Sequence, residues 1–226
     1  MDELEIITTA DGSHTLRNRS LNETYHSIHG AVQESMHVFI RHGLQYYCEH
    51  HQPEVVSIFE VGMGTGLNAL LTLQYAAQRD IRIRYTAIEP LPLKEAVWSK
   101  LNYADPDKCR KHFEGIHQAE WNREVSLGPG FSILKLRATL QEVELRDVYD
   151  VIYFDAFAPA IQPALWEYAA LEKACGNLKP GGVFVTYSAK GQLKRDLKAL
   201  GLQVETLAGP PGKNEMVRGM IAVGRR

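Results

Sequence analysis

The sequence has few cysteines and no long apolar run, and both absences narrow the class of protein. Its three cysteines, Cys48, Cys109 and Cys175, are odd in number and too widely spaced for a disulfide framework or for paired zinc ligands. No run approaches the roughly 18 apolar residues that a membrane span requires, and the acidic, polar N-terminus does not resemble a signal peptide. We therefore expect a cytoplasmic protein in a reducing compartment.

The sequence also lacks an excess of charge of either sign. Its 25 Lys and Arg residues oppose 27 Asp and Glu residues, so the net charge is −2 and no global field attracts nucleic acid. Any nucleic-acid partner would need a local basic patch. There is no internal repeat, low-complexity tract or flexible linker, and the 45% hydrophobic and 23% charged residues are typical of a soluble enzyme or binding protein.

The first fifty residues differ in pattern from the rest of the chain. The Asp11-Gly12 pair predicts a hairpin turn between two short strands. Apolar residues then recur at helical spacing, at Val32, Met36, Phe39, Ile40 and Leu44. We expect residues 1–52 to form a hairpin-and-helix extension packed on the core, and residues 53–226 to form the main domain.

In the main domain, apolar runs of strand length alternate with helical stretches. The runs are VVSIFEV, IRIRYTAIE, FSILKL, YDVIYFD and GGVFVTYS. This alternation predicts a doubly wound α/β fold, in which a mostly parallel sheet carries helices on both faces. The last two runs, QVETLAG and EMVRGMIAVG, face each other across PPGKN and predict a closing antiparallel hairpin.

Three glycines, Gly62, Gly64 and Gly66, lie between the first of these strands and a helix, where they allow the backbone to approach a ligand closely. Their G-x-G-x-G spacing differs from the dinucleotide-binding G-x-G-x-x-G. Glu60, just before the loop, would repel a pyrophosphate but suits a cationic amino-acid group such as that of S-adenosylmethionine. The alternative is a tight strand-to-helix turn without a ligand.

Two further acids stand where predicted strands end. Glu89 lies 23 residues after Gly66, where open α/β folds place an acid that binds the two hydroxyls of a ribose. Asp155 precedes a rigid turn containing Phe157 and Pro159, and its carboxylate is a candidate to hold or deprotonate a nucleophile. The alternatives are a solvated charge for Glu89 and a helix cap for Asp155.

Basic residues cluster toward the C-terminus, where they either meet phosphates or form a solvated face. They are Lys190, Lys194, Arg195 and Lys198 on a predicted helix, then Lys213, Arg218, Arg225 and Arg226 in or beyond the last hairpin. The nine histidines include no set at metal-site spacing, and we interpret them, like the three tryptophans, as surface or packing residues.

Several segments together resemble one protein family. They are NETYHSIHGAVQESMHVFIRHGL, VGMGTGLNAL, DAFAPAIQPALWE, KPGGVFVTYSAKGQLKRDL and GPPGKNEMVRG. The chain resembles, from about Asn22 to Gly219, the methyltransferase domain of the tRNA 5-methylaminomethyl-2-thiouridine biosynthesis proteins, in a stand-alone form. These are class I S-adenosylmethionine-dependent methyltransferases, and the resemblance implies their Rossmann-like doubly wound sheet.

The resemblance also implies an activity and roles for individual residues. The activity is N-methylation of the aminomethyl group on the wobble uridine of tRNA, giving 5-methylaminomethyl-(2-thio)uridine. Asp155 would sit at the amine and Glu89 at the ribose. The rest of the cofactor set would be Glu60, Gly62, Met63, Gly64, Gly66 and Asn68. Substrate or RNA contacts would come from Phe157, Pro159, Lys190, Lys194, Arg195 and Lys213.

The sequence departs from the family pattern in two ways. Arg137 stands where such folds often carry an acid that binds the adenine amine. Larger family members add a flavin-dependent oxidoreductase domain, for which 226 residues leave no room, so we expect any such enzyme to be a separate partner. Two alternatives stay open, a methyltransferase acting on a small amine or protein side chain, and a nucleotide-binding module without chemistry.

Overall fold

A computed structural model of the chain describes residues 4–103, 107–145 and 148–223. At the N-terminus, strands β1 (Leu4–Thr8) and β2 (His14–Asn18) pair antiparallel across the predicted Asp11-Gly12 turn. A two-residue strand, β3 (Glu23–Thr24), pairs with β2 and carried no sequence signal of its own. The predicted hairpin is therefore part of a small three-stranded sheet within the described residues.

The predicted N-terminal helix is present, but its middle is π-helical. It comprises α1 (Ala31–Ser35), a π-helical stretch (Met36–Gln45) and α2 (Tyr46–His51). A π-helix holds more residues per turn than an α-helix, so α-helical spacing does not describe its buried face. Met36 is accordingly 42% exposed, whereas Phe39, Ile40 and Leu44 are buried.

The main domain is built on a second sheet. Its strands are β4 (Val55–Val61), β5 (Arg82–Ile88), β6 (Glu124–Ser126), β7 (Phe131–Leu136), β8 (Tyr149–Phe154), β9 (Leu178–Thr186), β10 (Leu202–Ala208) and β11 (Glu215–Ile221). Among the described residues, these eight strands lie in the order β10-β11-β9-β8-β4-β5-β7-β6. Strands β9, β8, β4, β5 and β7 are parallel, and β11 is antiparallel to both β9 and β10, as the closing hairpin predicted.

Helices cover both faces of this sheet. They are α3 (Leu67–Arg79), α4 (Glu95–Trp98), α5 (Asp107–Gln118), α6 (Tyr168–Cys175) and α7 (Gly191–Ala199), with a 3₁₀ turn at Pro163–Leu165. Because side chains alternate along a strand, neighbouring residues of β4 enter different cores. Ile58 packs in the core with Phe39 and Leu70, and Phe59 packs in the core with Leu171.

Two elements of the main domain, helix α5 and strand β6, were not predicted from the sequence. Helix α4 is a single turn. The N-terminal extension and the main domain share one core, which includes Leu16, Val38 and Ile58. In the part of the chain that the structure describes, no helix is long and apolar enough to cross a membrane.

Candidate active site

The candidate site lies at the carboxyl ends of three neighbouring parallel strands. Gly62 follows β4, Glu89 follows β5 and Asp155 follows β8. The chain order reverses between β4 and β8, and open α/β sheets bind ligands at such a switch point. All three residues line one cavity of about 1490 Å³. Residues of the N-terminal extension, including Tyr25 and Glu34, also line it.

The glycine loop after β4 is held very close to its neighbours. Gly62 has φ +87°, and a Cβ there would lie 2.7 Å from the backbone oxygen of Asp155. Gly64 has φ +49°, and a Cβ there would lie 3.1 Å from Cδ1 of Tyr25. Both backbone conformations are ones that L side chains rarely adopt. The loop therefore needs glycine for its conformation and for its approach to the Asp155 turn and to Tyr25.

A buried histidine, His26, and a partly buried one, His117, fix the next turn of the loop. His117 Nε2 donates to the Thr65 carbonyl at 3.0 Å, and His26 Nε2 lies 3.4 Å from the Thr65 hydroxyl. Burial is the main cause that lowers the pKa of each histidine to about 4, so both are neutral near pH 7. Both histidines act as packing residues, as the sequence interpretation allowed, and the segment they pack against is the glycine loop. Gly66 also lies against His117 and is not part of the cavity lining.

Glu89 connects the second strand to this loop. Its Oε2 accepts the Gly64 N–H at 3.0 Å, and its Oε1 accepts the Leu91 N–H at 2.9 Å. Burial raises the pKa of Glu89, and the two backbone hydrogen bonds oppose that rise. Each carboxylate oxygen has a second lone pair, so the acid can still accept bonds from a ligand in the cavity.

The Asp155 carboxylate is held by a side-chain amide and not by the N-terminus of a helix that it caps. Asn68 Nδ2 donates to Asp155 Oδ2 at 2.8 Å and to Glu60 Oε1 at 2.9 Å. Glu60 is fully buried, and burial first, then the charge of Asp155, raises its pKa well above the usual range. Neither Glu60 nor Asn68 lines the cavity. The structure therefore places both residues behind the site, whereas the sequence predicted that they contact the cofactor.

The protonation of Asp155 is set by several groups together. Its pKa is raised to about 7, first by burial and then by the charge of Glu34, against the Asn68 hydrogen bond and the charge of Lys213, which lower it. A carboxyl group with that pKa exchanges protons readily at neutral pH. The arrangement can therefore accept a proton from a group bound in the cavity.

Aromatic side chains form the wall beside Asp155. The rings of Tyr25 and Phe157 meet edge to face with their centroids 5.0 Å apart. Tyr187 donates its hydroxyl proton to the Ala156 carbonyl at 2.8 Å, next to Asp155. Phe157 and Met63 line the cavity as members of the predicted site, whereas Pro159 does not.

The predicted basic residues are divided between the cavity and the surface. Lys213 lines the cavity and pairs with Glu34. Lys190 and Arg195 are exposed at α7, and Lys194 on the same helix pairs with Glu215 at 2.9 Å. None of these three helix residues lines the cavity.

Arg218 does not belong to a solvated basic face, so that part of the prediction is wrong. It is 7% exposed, forms an ion pair with Glu205 at 2.6 Å and stacks on the Tyr46 ring at 3.5 Å, because its side chain points toward the N-terminal helix. Arg225 and Arg226 lie outside the described residues. Arg137 is exposed and lines the cavity.

The sequence interpretation missed four residues of the site, namely Tyr25, His26, Glu34 and Tyr187. Three of them lie in the segment NETYHSIHGAVQES, which did contribute to the family resemblance. No local pattern marked them individually, because they reach the site only when the N-terminal extension folds over the carboxyl edge of the sheet.

Comparisons with known proteins agree with this geometry. Residues 107–222 match a family described as S-adenosyl-L-methionine-dependent methyltransferase. The chain is 26% identical over 217 residues to the tRNA 5-methylaminomethyl-2-thiouridine biosynthesis bifunctional protein MnmC of Methylobacillus flagellatus, and 29% identical over 224 residues to that of Nitrosospira multiformis. Each match covers 90% of this chain, which spans about a third of the length of these curated relatives (33% and 35%).

Solved structures show the same likeness. The crystal structure of MNMC2 from Aquifex aeolicus superposes with a TM-score of 0.81 at 25% identity, covering 100% of this chain and 72% of that one. Spermidine synthase from Thermotoga maritima shares the fold, with a TM-score of 0.60 at 14% identity over 99% of this chain and 70% of that one.

Proposed function

The chain belongs to the S-adenosyl-L-methionine-dependent methyltransferases, and from that premise we propose that it methylates the aminomethyl group of the wobble uridine in tRNA. The product would be 5-methylaminomethyl-(2-thio)uridine. The observation that carries the proposal is Asp155, a carboxyl with a pKa of about 7, in the same cavity as the glycine loop. The named activity of the MnmC relatives supplies the substrate class.

The residues present fit the cofactor. Gly62 and Gly64 line the cavity without side chains, and Glu89 offers carboxylate oxygens to a ribose diol one strand away. S-adenosylmethionine supplies a methyl group on a sulfonium, an electrophile that needs only a positioned nucleophile. The protein therefore has to bring an amine lone pair into line with that methyl group, and to keep water out.

Asp155 has the chemistry to serve the amine. With the cofactor bound, the amine nitrogen would take the methyl group as the S–C electron pair stayed on sulfur, and the nitrogen would then have to lose a proton. Asp155 can accept that proton, or orient the amine while water accepts it. Asn68 holds the carboxylate in place through Oδ2 in either case.

The cavity is large enough for a nucleoside beside the cofactor, since typical small-molecule pockets measure about 300–1,000 Å³. The rings of Tyr25 and Phe157 can contact a planar base. The exposed Lys190 and Arg195 are the surface residues that we propose contact tRNA phosphates. We further propose that the protein acts in the cytoplasm and that a separate flavin-dependent oxidoreductase supplies its substrate.

Methyl transfer from labelled S-adenosylmethionine to separated tRNA, protein and small-amine fractions tests the proposal. We expect label in tRNA, and mass spectrometry of digested tRNA should show aminomethyluridine converted to methylaminomethyluridine. tRNA carrying carboxymethylaminomethyluridine should stay unmodified, because the carboxymethyl group occupies the nitrogen and its negative charge is repelled by Asp155. Label in the protein or amine fraction alone would refute the tRNA assignment and favour the open alternative.

A further inference from the structure

Lys213 reaches the cavity on a loop of fixed shape, residues 209–214 between β10 and β11. Its N–H donates to the Pro210 carbonyl at 2.9 Å, which closes a turn. Gly212 has φ +85°, and a Cβ there would lie 2.0 Å from Cδ2 of His29. The loop is thus packed directly on the N-terminal extension, and this contact directs Lys213 inward.

The Lys213 ammonium is held by two partners. It lies 2.5 Å from Glu34 Oε1 and 3.7 Å from the centroid of the Tyr187 ring. The Glu34 side chain is only 6% exposed, and its Oε2 accepts the Ser27 N–H at 2.7 Å. A buried carboxylate of this kind needs a cation, and the aromatic face adds a second attraction for the ammonium.

This pair lines the same cavity as Asp155. The ring of Tyr187 lies beneath the ammonium, and its hydroxyl donates a hydrogen bond to the carbonyl of Ala156, the residue that follows Asp155. Glu34 and Lys213 act on the pKa of Asp155 in opposite directions, since Glu34 raises it and Lys213 lowers it. The other polar or ionisable groups that face Asp155 are Asn68, Glu60, Tyr85 and Tyr187. Glu60 stays uncharged near pH 7 because its burial raises its pKa well above the usual range.

We propose that Lys213 is a positioning residue for the methyl-transfer step, whose ammonium lies in the same cavity as Asp155 and keeps the attacking amine in its unprotonated form. The inference rests on the proposed amine methylation. An ammonium substrate has no lone pair to attack with, and a fixed cation nearby disfavours that charged form. Glu34 holds the cation in place and limits its effect. The competing explanation is an ion pair that only fastens the loop.

The pH profile of kcat/KM separates these explanations. In K213M, Asp155 and the amine both hold their protons more tightly. The acid limb of the kcat/KM profile should therefore move to higher pH by about one unit, which lowers kcat/KM roughly tenfold at pH values below the midpoint. In E34Q the same limb should move down, and the double variant should return toward the wild-type profile. A pair that only fastens the loop would lower activity equally at every pH.

Lys179→Met is the matched control. Lys179 pairs with Asp150 at 2.9 Å, with side-chain exposures of 36% and 4% that are close to the 32% and 6% of Lys213 and Glu34. Neither residue of the control pair lines the cavity. K179M should cost comparable stability, seen as a lower Tm, and leave the pH profile where it is in the wild type.

A second measurement needs no substrate and no cofactor. Carbon-13 NMR titration of the Asp155 carboxyl in the free protein should find a pKa near 7 in the wild type, higher in K213M and lower in E34Q. If the wild type fails to methylate tRNA, the proposed function is refuted while this titration still reports on Lys213. Unchanged Asp155 titration in both variants, or shifts in the same direction, would overturn the inference.

Discussion

The close approach of the glycine loop to the Asp155 turn can be tested by one added methyl group. In Gly62→Ala the new Cβ would lie 2.7 Å from the backbone oxygen of Asp155, with φ at +87°. Gly201→Ala is a matched control, because Gly201 also has φ +87° but has no atom within 4 Å of the added Cβ. The two variants share the backbone strain and differ only in the contact.

The expected magnitudes follow from these two contributions. The left-handed backbone conformation should cost each variant about 1–2 kcal/mol of unfolding free energy. The contact with Asp155 should add roughly 1–3 kcal/mol in Gly62→Ala, since backbone rather than a flexible side chain has to move. For a chain of this length about 1 kcal/mol corresponds to roughly 2–4 °C in Tm, so Gly62→Ala should melt several degrees below Gly201→Ala.

Thermal denaturation and calorimetry with S-adenosylmethionine provide the two readouts. We expect Gly62→Ala to lose at least about tenfold in cofactor affinity, a cost of roughly 1.4 kcal/mol, because the loop and the Asp155 turn must separate. Gly201→Ala should bind as the wild type does. Equal Tm values and equal affinities in the two variants would show that the contact between loop and turn has no role in binding.

Three further predictions concern single features of the site. Asp155→Asn should keep the cofactor Kd within about twofold and lower the single-turnover rate of methyl transfer by about 10²–10⁴. The control Asp196→Asn, on the surface, should be active. Equal single-turnover rates in Asp155→Asn and the wild type would remove Asp155 from the mechanism. Glu89→Ala should weaken S-adenosylmethionine binding by about tenfold or more in calorimetry, with an unchanged Kd as the contrary result. Reversing Lys190 and Arg195 to Glu should weaken tRNA binding and flatten its salt dependence without affecting the cofactor; an unchanged salt slope would make them a solvated face.

The sequence predicted the parts of the fold that local patterns specify. Strand-length apolar runs followed by glycine or an acid located β4, β5 and β8, and therefore the edge where Gly62, Glu89 and Asp155 converge. Hydrophobic periodicity could not predict α5, because its sequence DKCRKHFEGIHQ is mostly polar and contains too few apolar residues to show a helical spacing. Nor could it detect the π-helical stretch, because an apolar helix face looks similar in sequence whichever hydrogen-bond register forms.

The side chains that surround Asp155 could not be predicted in the same way. Glu34 and Lys213 are 179 positions apart in sequence, and they meet because the N-terminal extension and the last hairpin cover the same edge of the sheet. Lys213 therefore looked like one member of a basic cluster with Lys194. The two residues differ because Lys213 lines the cavity and Lys194 does not, and that placement depends on the whole fold.

The role that the sequence predicted for the acid before the glycine loop was incomplete. The pattern placed Glu60 at the cationic end of the cofactor, but its side chain is fully buried and its contact is Asn68. The Asn68 amide donates to two acids, which is favourable because burial keeps the Glu60 carboxyl uncharged and so limits repulsion between Glu60 and Asp155. We infer that Glu60 influences the reaction through the position of Asp155, and that the cofactor is held by the loop backbone and Glu89.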